Sequence, residues 1–207
     1  GRAADKCFIG GAVVSEVEYH RKDADGTTHY DAVSVRATHL LATFPRPTGA
    51  KIQGYCIGGG LAIALGCDIR IASEDSTFAI PAAKLGLGYG PAGICTLVQL
   101  VGPSLAKDIF FTARQYSAAE AYNMGLINHV CTKTQLVPHV VNYCSTIADN
   151  APMTVHAVKV AVAEILKGEK GDMELCDRLV AECFESEDYK EGRAAFMEKR
   201  KPKFQGK

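Results

Sequence analysis

The chain has 207 residues, 47% of them hydrophobic and 22% charged, the composition of a soluble globular domain large enough to bury a core. Its 23 basic and 23 acidic side chains cancel, so no global field draws it to nucleic acid or to an anionic membrane surface. Its eight cysteines include no C-x-x-C and no zinc-spaced Cys/His pair; most sit in apolar runs, the pattern of free thiols in a reducing compartment.

The chain opens "GRAADKCF" rather than with Met, as if entered mid-domain, so an upstream targeting segment would not be seen. "KCFIGGAVVSEV" is an apolar run broken at Gly10-Gly11, and "VEYHRKDADGTTHYD" has the composition of a surface loop. "AVSVRATHLLATF" has helical spacing and stops at Pro45 and Pro47. "GAKIQGYC" reads as one strand ending at Gly58-Gly59-Gly60, and "GLAIALGC" as a short helix buried on every side. "DIRIAS" and "TFAIP" are strands joined by a turn at "EDS". This strand–helix–strand rhythm predicts an α/β domain.

The uncharged run between Lys84 and Lys107 is long enough to span a bilayer. Gly86, Gly88, Gly90, Pro91, Gly93, Gly102 and Pro103 interrupt it, so a buried turn-and-helix region is expected and no membrane insertion. Helices follow: "SLAKDIFFTAR" with a capping serine, and "SAAEAYNMG" with a capping box, Ser117 and Glu120, and a stop at Gly125. "LINHVC" is a last strand. "TQLVPHVVNYCSTIADN" and "PMTVHAVKVAVAEILKG" are amphipathic helices, the second with Pro152 in its first turn. Cys176, Leu179, Val180, Cys183 and Phe184 form one stripe of a final helical pair, whose second member runs from about Glu187 to Lys199.

The chemistry centres on the glycines. A helix N-terminus presents unpaired N–H groups. Gly58, Gly59 and Gly60 strip the side chains from such a start, either for tight strand–helix packing or so that an oxygen can approach the Gly59 N–H. "FIGGAV", containing Phe8 and Gly10, is a second glycine-loosened strand end. Two such sites can aim two N–H groups at one carbonyl oxygen, which is an oxyanion hole.

The segment "PRPTGAKIQGYCIGGGLAIALGCDIRIASEDSTFAIPAAKLGL" resembles the signature of the crotonase (enoyl-CoA hydratase/isomerase) superfamily. The resemblance continues through "GPSLAKDIFFTARQYSAAEAYNMGLINHV" to "FMEKRKPKF", with "DKCFIGGAVVSEV" upstream, and so covers nearly the whole chain. It implies a spiral of ββα turns over 1–135, with the family's opening strands and first helix absent, and a helical oligomerisation region over 136–207 that builds trimers or dimers of trimers. It further implies an acyl-CoA substrate, whose coenzyme A is part of that substrate and the only cofactor, and no metal. The thioester enolate would lie between the Ala12 and Gly59 amides. Phe8, Gly10, Gly58 and Gly60 would shape that hole, and Lys199 would either reach the CoA phosphates or be an ordinary solvated helix end.

Three positions depart from the family pattern. Its hydratases carry one glutamate two residues after the glycines and another after the "FxxP" strand; here these are Ala62 and Ala82. Val13 replaces a common Asp, a matter of loop geometry. Adding water to a double bond needs a base for the water and an acid for the carbon. Two alanines supply neither, so glutamate-dependent hydration is not expected. Losing carbon dioxide from a malonyl-type ester makes the enolate with no base, and "KLGLGYGPAGI" is similar to some decarboxylases of the superfamily with a tyrosine at this pocket position; the resemblance implies that Tyr89, flanked by Gly88 and Gly90 on a flexible loop, either orients the carboxylate or lines the pocket. A catalytically idle CoA-binding scaffold is the remaining reading of the same alanines. Asp68 is expected to be structural and Cys56 inert.

Overall fold

The computed structural model describes residues 7–9 and 24–207. Short strands build two sheets. In the first, β1 (Cys7–Ile9), β3 (Tyr55–Ile57) and β5 (Thr77–Ala79) run parallel, and β6 (Tyr116–Ser117) closes the edge antiparallel to β5. The second is fully parallel, in the order β2 (Gly49–Ile52), β4 (Ile69–Ser73), β7 (His129–Cys131).

"GAKIQGYC" is therefore two strands and not one. Gly54 takes φ 73°, a turn that only glycine makes at low cost, and it moves the chain from the second sheet to the first. The loop expected through Asp31 is also corrected: α1 spans Ala24–Ala42, so the polar "ADGTTHYD" is helical.

The helix after the glycines, α2 (Gly59–Leu65), buries Gly60, Leu61, Ala64 and Leu65 but leaves Ala62 and Ile63 partly exposed. It is not buried on every side as its composition suggested. A 3-10 turn, Pro81–Leu85, follows β5 and ends at Gly86 with φ 62°. Next comes α3 (Pro91–Thr112), expected to be buried, which hides only one stripe, Leu97, Val101, Ala106 and Ile109. Gly102, with φ 78° and ψ 165°, splits it into two segments. Pro103 opens the second segment, so the helix start expected at a capping Ser104 lies at Gly102–Pro103 instead. α3 has the length and apolarity of a membrane span, but each of its two segments is too short to cross one.

α4 (Ala118–Asn123) carries the expected capping box, Ser117 with Glu120, and ends before Gly125 at φ 78°. Arg70 on β4 is 3% exposed and has its donors satisfied by the Leu126 carbonyl (2.8 Å), the Cys67 carbonyl (2.7 Å) and Asn128 Oδ1 (3.4 Å). Arg70→Met would take this donor from the Leu126 and Cys67 carbonyls, while Asn128 Oδ1 keeps the Arg70 amide at 2.8 Å. It is expected to cost about 3 kcal/mol, read as a lower denaturation midpoint. None of the eight cysteines is in a disulfide.

The described residues divide into two compact units: the first takes those up to Phe44 with Thr48–Val140, the second Pro45–Pro47 with Val141–Lys207. α5 (Leu136–Ala148) contributes its first turn to the first unit and its remainder to the second. In the second unit, α6 (Pro152–Ile165) packs on α7 (Met173–Glu185), and α8 (Glu187–Met197) leads to the tail. Of the expected α7 stripe, Cys176, Leu179 and Cys183 are partly buried while Val180 and Phe184 stay exposed.

The tail folds back on α8. Asp188, 3% exposed, accepts from the Gln205 and Gly206 amides at 2.6 and 2.8 Å. Glu191 takes a two-pronged contact from Arg200 (2.6 and 2.9 Å) and the Lys203 amide at 2.8 Å. The Arg200 guanidinium, then the Lys203 N–H, hold the Glu191 carboxyl at about 2, below its ordinary 4.5. A depressed carboxyl stabilises above its unfolded value and loses that contribution as pH falls through its folded one. The clamp is thus expected to open between about pH 4.5 and 2, seen as new protease sensitivity of the tail only toward the lower end.

Candidate functional site

The parallel strands β1, β3 and β5 end together, since Ile9 pairs with Cys56, and Ile57 with Ala79. The chain therefore leaves Ile9, Ile57 and Ala79 at one edge, beyond the carboxyl ends of the strands, where α/β sheets place ligands. Gly58–Gly60 and Ile80–Ala82 lie at that edge. Phe8, in β1, packs against the core beneath it. Gly10 and Ala12 lie outside the described residues.

The three glycines do three different things. Gly58 takes φ 54° and ψ −116°, and its N–H is already used by the Ala79 carbonyl at 2.8 Å. Gly60 lets β1 approach: a Cβ there would stand 2.2 Å from the Ile9 carbonyl oxygen and 2.7 Å from its Cβ. Gly59 is different, because among the described residues a Cβ there would meet nothing within 4 Å. Among the described residues none accepts from its amide, while the Ala62 amide is taken by the Gly58 carbonyl at 3.1 Å. Gly59 thus presents an open N–H at the head of α2, in the first turn where helix amides lack internal partners.

Ala62 borders this opening and is partly exposed, whereas Ala82, in the 3-10 turn, is 5% exposed and belongs to the core cluster. Pro81 Cδ is 4.0 Å from the Cβ position of Gly58, which ties the turn to the glycine segment. Neither alanine can move a proton.

Tyr89 lies in the irregular segment 87–90 ahead of α3, and its ring is packed. Its ring meets Phe110 edge-on, centroids 4.9 Å apart, and lies over Gly93. Burial pushes its hydroxyl above the ordinary phenol value. Gly90 caps α3 with backbone alone, and a Cβ there would meet nothing within 4 Å. Sequence reading missed Gly93 and Phe110; the available signal was a glycine inside a helix, which marks a close approach.

Cys56 is fully buried, and burial, reinforced by Cys7, pushes its thiol up to about 12, so it carries no nucleophile. Asp68 is structural: it accepts from the Thr48 amide (2.7 Å) and hydroxyl (2.9 Å), fastening the start of β4 to that of β2. Among the described residues no group of three His, Cys, Asp or Glu is placed to hold a metal ion. In the second unit, Lys199 is exposed and adopts φ 54°.

Comparisons with known proteins agree on one family. The enoyl-CoA hydratase/isomerase family profile matches residues 2–207. A crotonyl-CoA hydratase of Syntrophomonas wolfei is 32% identical over 206 residues, 98% of this chain and 77% of that protein. A short-chain-enoyl-CoA hydratase of Clostridium acetobutylicum is 34% identical, over 96% of this chain and 76% of its own length. The crystal structure of an enoyl-CoA hydratase/carnithine racemase from Magnetospirillum magneticum superposes with a TM-score of 0.92 at 30% identity, covering 99% of this chain and 76% of that one.

Proposed function

The chain belongs to the enoyl-CoA hydratase/isomerase family, and on that premise we propose that it binds an acyl-CoA thioester and stabilises its enolate without glutamate-dependent hydration. Its fold is the α/β crotonase fold with a C-terminal helical region. The observation that carries the proposal is Gly59, whose amide no described residue accepts from and whose Cβ position no described atom approaches within 4 Å, near Ala62 where a carboxylate would be needed to activate water. The family resemblance assigns the second donor to the Ala12 amide, which lies outside the described residues, and two such dipoles would stabilise the charge that develops on the thioester oxygen.

A malonyl-type ester fits a site without a base. The bond from the α carbon to the carboxylate breaks, its electron pair enters the enolate, carbon dioxide leaves, and the α carbon takes a proton from water. The Tyr89 hydroxyl orients the carboxylate. Side-by-side assays of crotonyl-CoA hydration and methylmalonyl-CoA decarboxylation test this, with decarboxylation expected and hydration not. Robust hydration overturns it, and binding with no turnover across a panel of thioesters assigns an idle CoA-binding module instead.

The helical region, 136–207, is proposed to form a trimer or a pair of trimers, supported by an exposed apolar row of Val158, Val162 and Ile165 on α6 with Leu166 at its cap. Lys199 is proposed to meet the CoA phosphates. It occupies the left-handed position that ends α8: the Arg200 amide bonds the Ala195 carbonyl (3.0 Å), and the Lys199 amide bonds that of Phe196 (3.2 Å). Glycine is favoured there, so a lysine is retained at a cost of about 1 kcal/mol. Lys199→Gly is expected to raise stability by about that amount while raising KM for CoA thioesters about tenfold, with kcat unchanged. Unchanged KM would remove the role.

A further inference from the structure

Tyr89 owes its placement to α3 and not to its sequence neighbours. Positions 88 and 90 beside it have open space where a Cβ would stand. Its ring, by contrast, is gripped from both segments of α3. Gly93, in the first, brings the helix backbone so close that a Cβ would stand 2.6 Å from Cε1, 3.5 Å from Cδ1 and 3.6 Å from Cζ. Phe110, in the second, meets the ring edge at 64° between planes. In a straight helix these two residues would sit about 25 Å apart along the axis. The break at Gly102, with φ 78°, is what lets both reach one ring.

Glycine inside a helix is unfavourable relative to alanine, and nothing in the backbone of α3 demands it at 93. The Tyr89 ring accounts for it. Among the described residues none hydrogen-bonds the Tyr89 hydroxyl, while Gly93 and Phe110 pack against its ring. Burial keeps that hydroxyl a neutral donor through the physiological range. A packed ring whose hydroxyl no described residue engages is the arrangement of a group held for a ligand.

We propose that Gly93 and Phe110 are positioning residues for the reaction, acting through the Tyr89 hydroxyl to aim it at the carboxylate that leaves the acyl group. This rests on the reading of the site as an enolate site fed by carboxylate loss. Small misplacements of a positioning group are costly, on the order of a hundredfold for about 1 Å.

The test is a double-mutant cycle on the full chain, with methylmalonyl-CoA as substrate. Tyr89→Phe, Gly93→Ala and Phe110→Leu are each expected to lower kcat about 10- to 100-fold, with KM within about twofold. In the Tyr89→Phe background, Gly93→Ala and Phe110→Leu are expected to add less than about twofold, because the group they position is already gone. Should Gly93→Ala fail to fold, Phe110→Leu, which keeps most of the apolar volume, completes the cycle alone. Losses that multiply in the Tyr89→Phe background would overturn the proposal, as would wild-type kcat in either variant. Absence of decarboxylation by the wild-type protein itself would instead overturn the enolate reading, and the inference with it.

Discussion

Gly59→Ala is expected to yield a protein at least as stable as the wild type that has lost about 10²- to 10³-fold in kcat. The separation of the two effects follows from geometry. Gly59 lies outside the left-handed φ region, and among the described residues a Cβ there meets nothing within 4 Å, so alanine introduces no clash with them. Alanine in place of glycine also reduces the freedom of the unfolded chain, by about 0.4–1 kcal/mol in favour of folding. On the proposed role, however, an added methyl at the helix head would crowd the thioester that the amide receives. Gly60→Ala, one residue on, is expected to do the reverse. Its Cβ would lie 2.2 Å from the Ile9 carbonyl oxygen, backbone that cannot swing aside, so β1 must shift at a cost of about 3 kcal/mol. Chemical denaturation and steady-state kinetics of the two variants check the contrast. Equal stability losses in both would mean that the glycines serve packing alone.

The second large effect concerns the missing carboxylates. Ala62→Glu together with Ala82→Glu is expected to create crotonyl-CoA hydration about 10²- to 10⁴-fold above a negligible wild-type rate, the usual range for positioned acid–base groups. The two sites differ in a useful way. Position 82 is 5% exposed, so a carboxyl there would be desolvated and pushed up toward the protonated form, the form of an acid. Position 62 is partly open, which favours the ionised form required of a base. Each single variant is expected to gain little, because hydration needs both roles. The Ala82→Glu chain is also expected to be less stable, since the new group enters the core cluster. Wild-type hydration equal to that of the double variant would show that another group already supplies the chemistry.

Much of this organisation was legible because it is local. The Ser117–Glu120 capping box, the Gly125 stop, Pro152 at a helix start and the alternation in "DIRIAS" are each written within a few residues. What could not be read depends on contacts distant in sequence. "KIQGYC" has too few residues for its pattern to reveal that Gly54 divides it between two sheets. The polar start of α1 carried no apolar face by which to recognise a helix. The glycine triplet was recognised as a functional start, yet its division of labour was hidden. Gly60 serves Ile9, from a strand about fifty positions earlier, and only the fold isolates Gly59 as the open amide. Tyr89 was singled out as mobile because glycines flank it; its partners Gly93 and Phe110 are joined only by the break at Gly102. Ala62 and Ala82 needed no structure to be noticed, but their different burial did.

Enolate formation without a carboxylate pair is tested most directly by supplying methylmalonyl-CoA and crotonyl-CoA together to the full chain in heavy water and weighing the products. The expected products are propanoyl-CoA carrying one deuterium on its α carbon and crotonyl-CoA recovered unhydrated. The first should be lost in Gly59→Ala. Conversion of crotonyl-CoA to its 3-hydroxy ester, with methylmalonyl-CoA left intact, would contradict it.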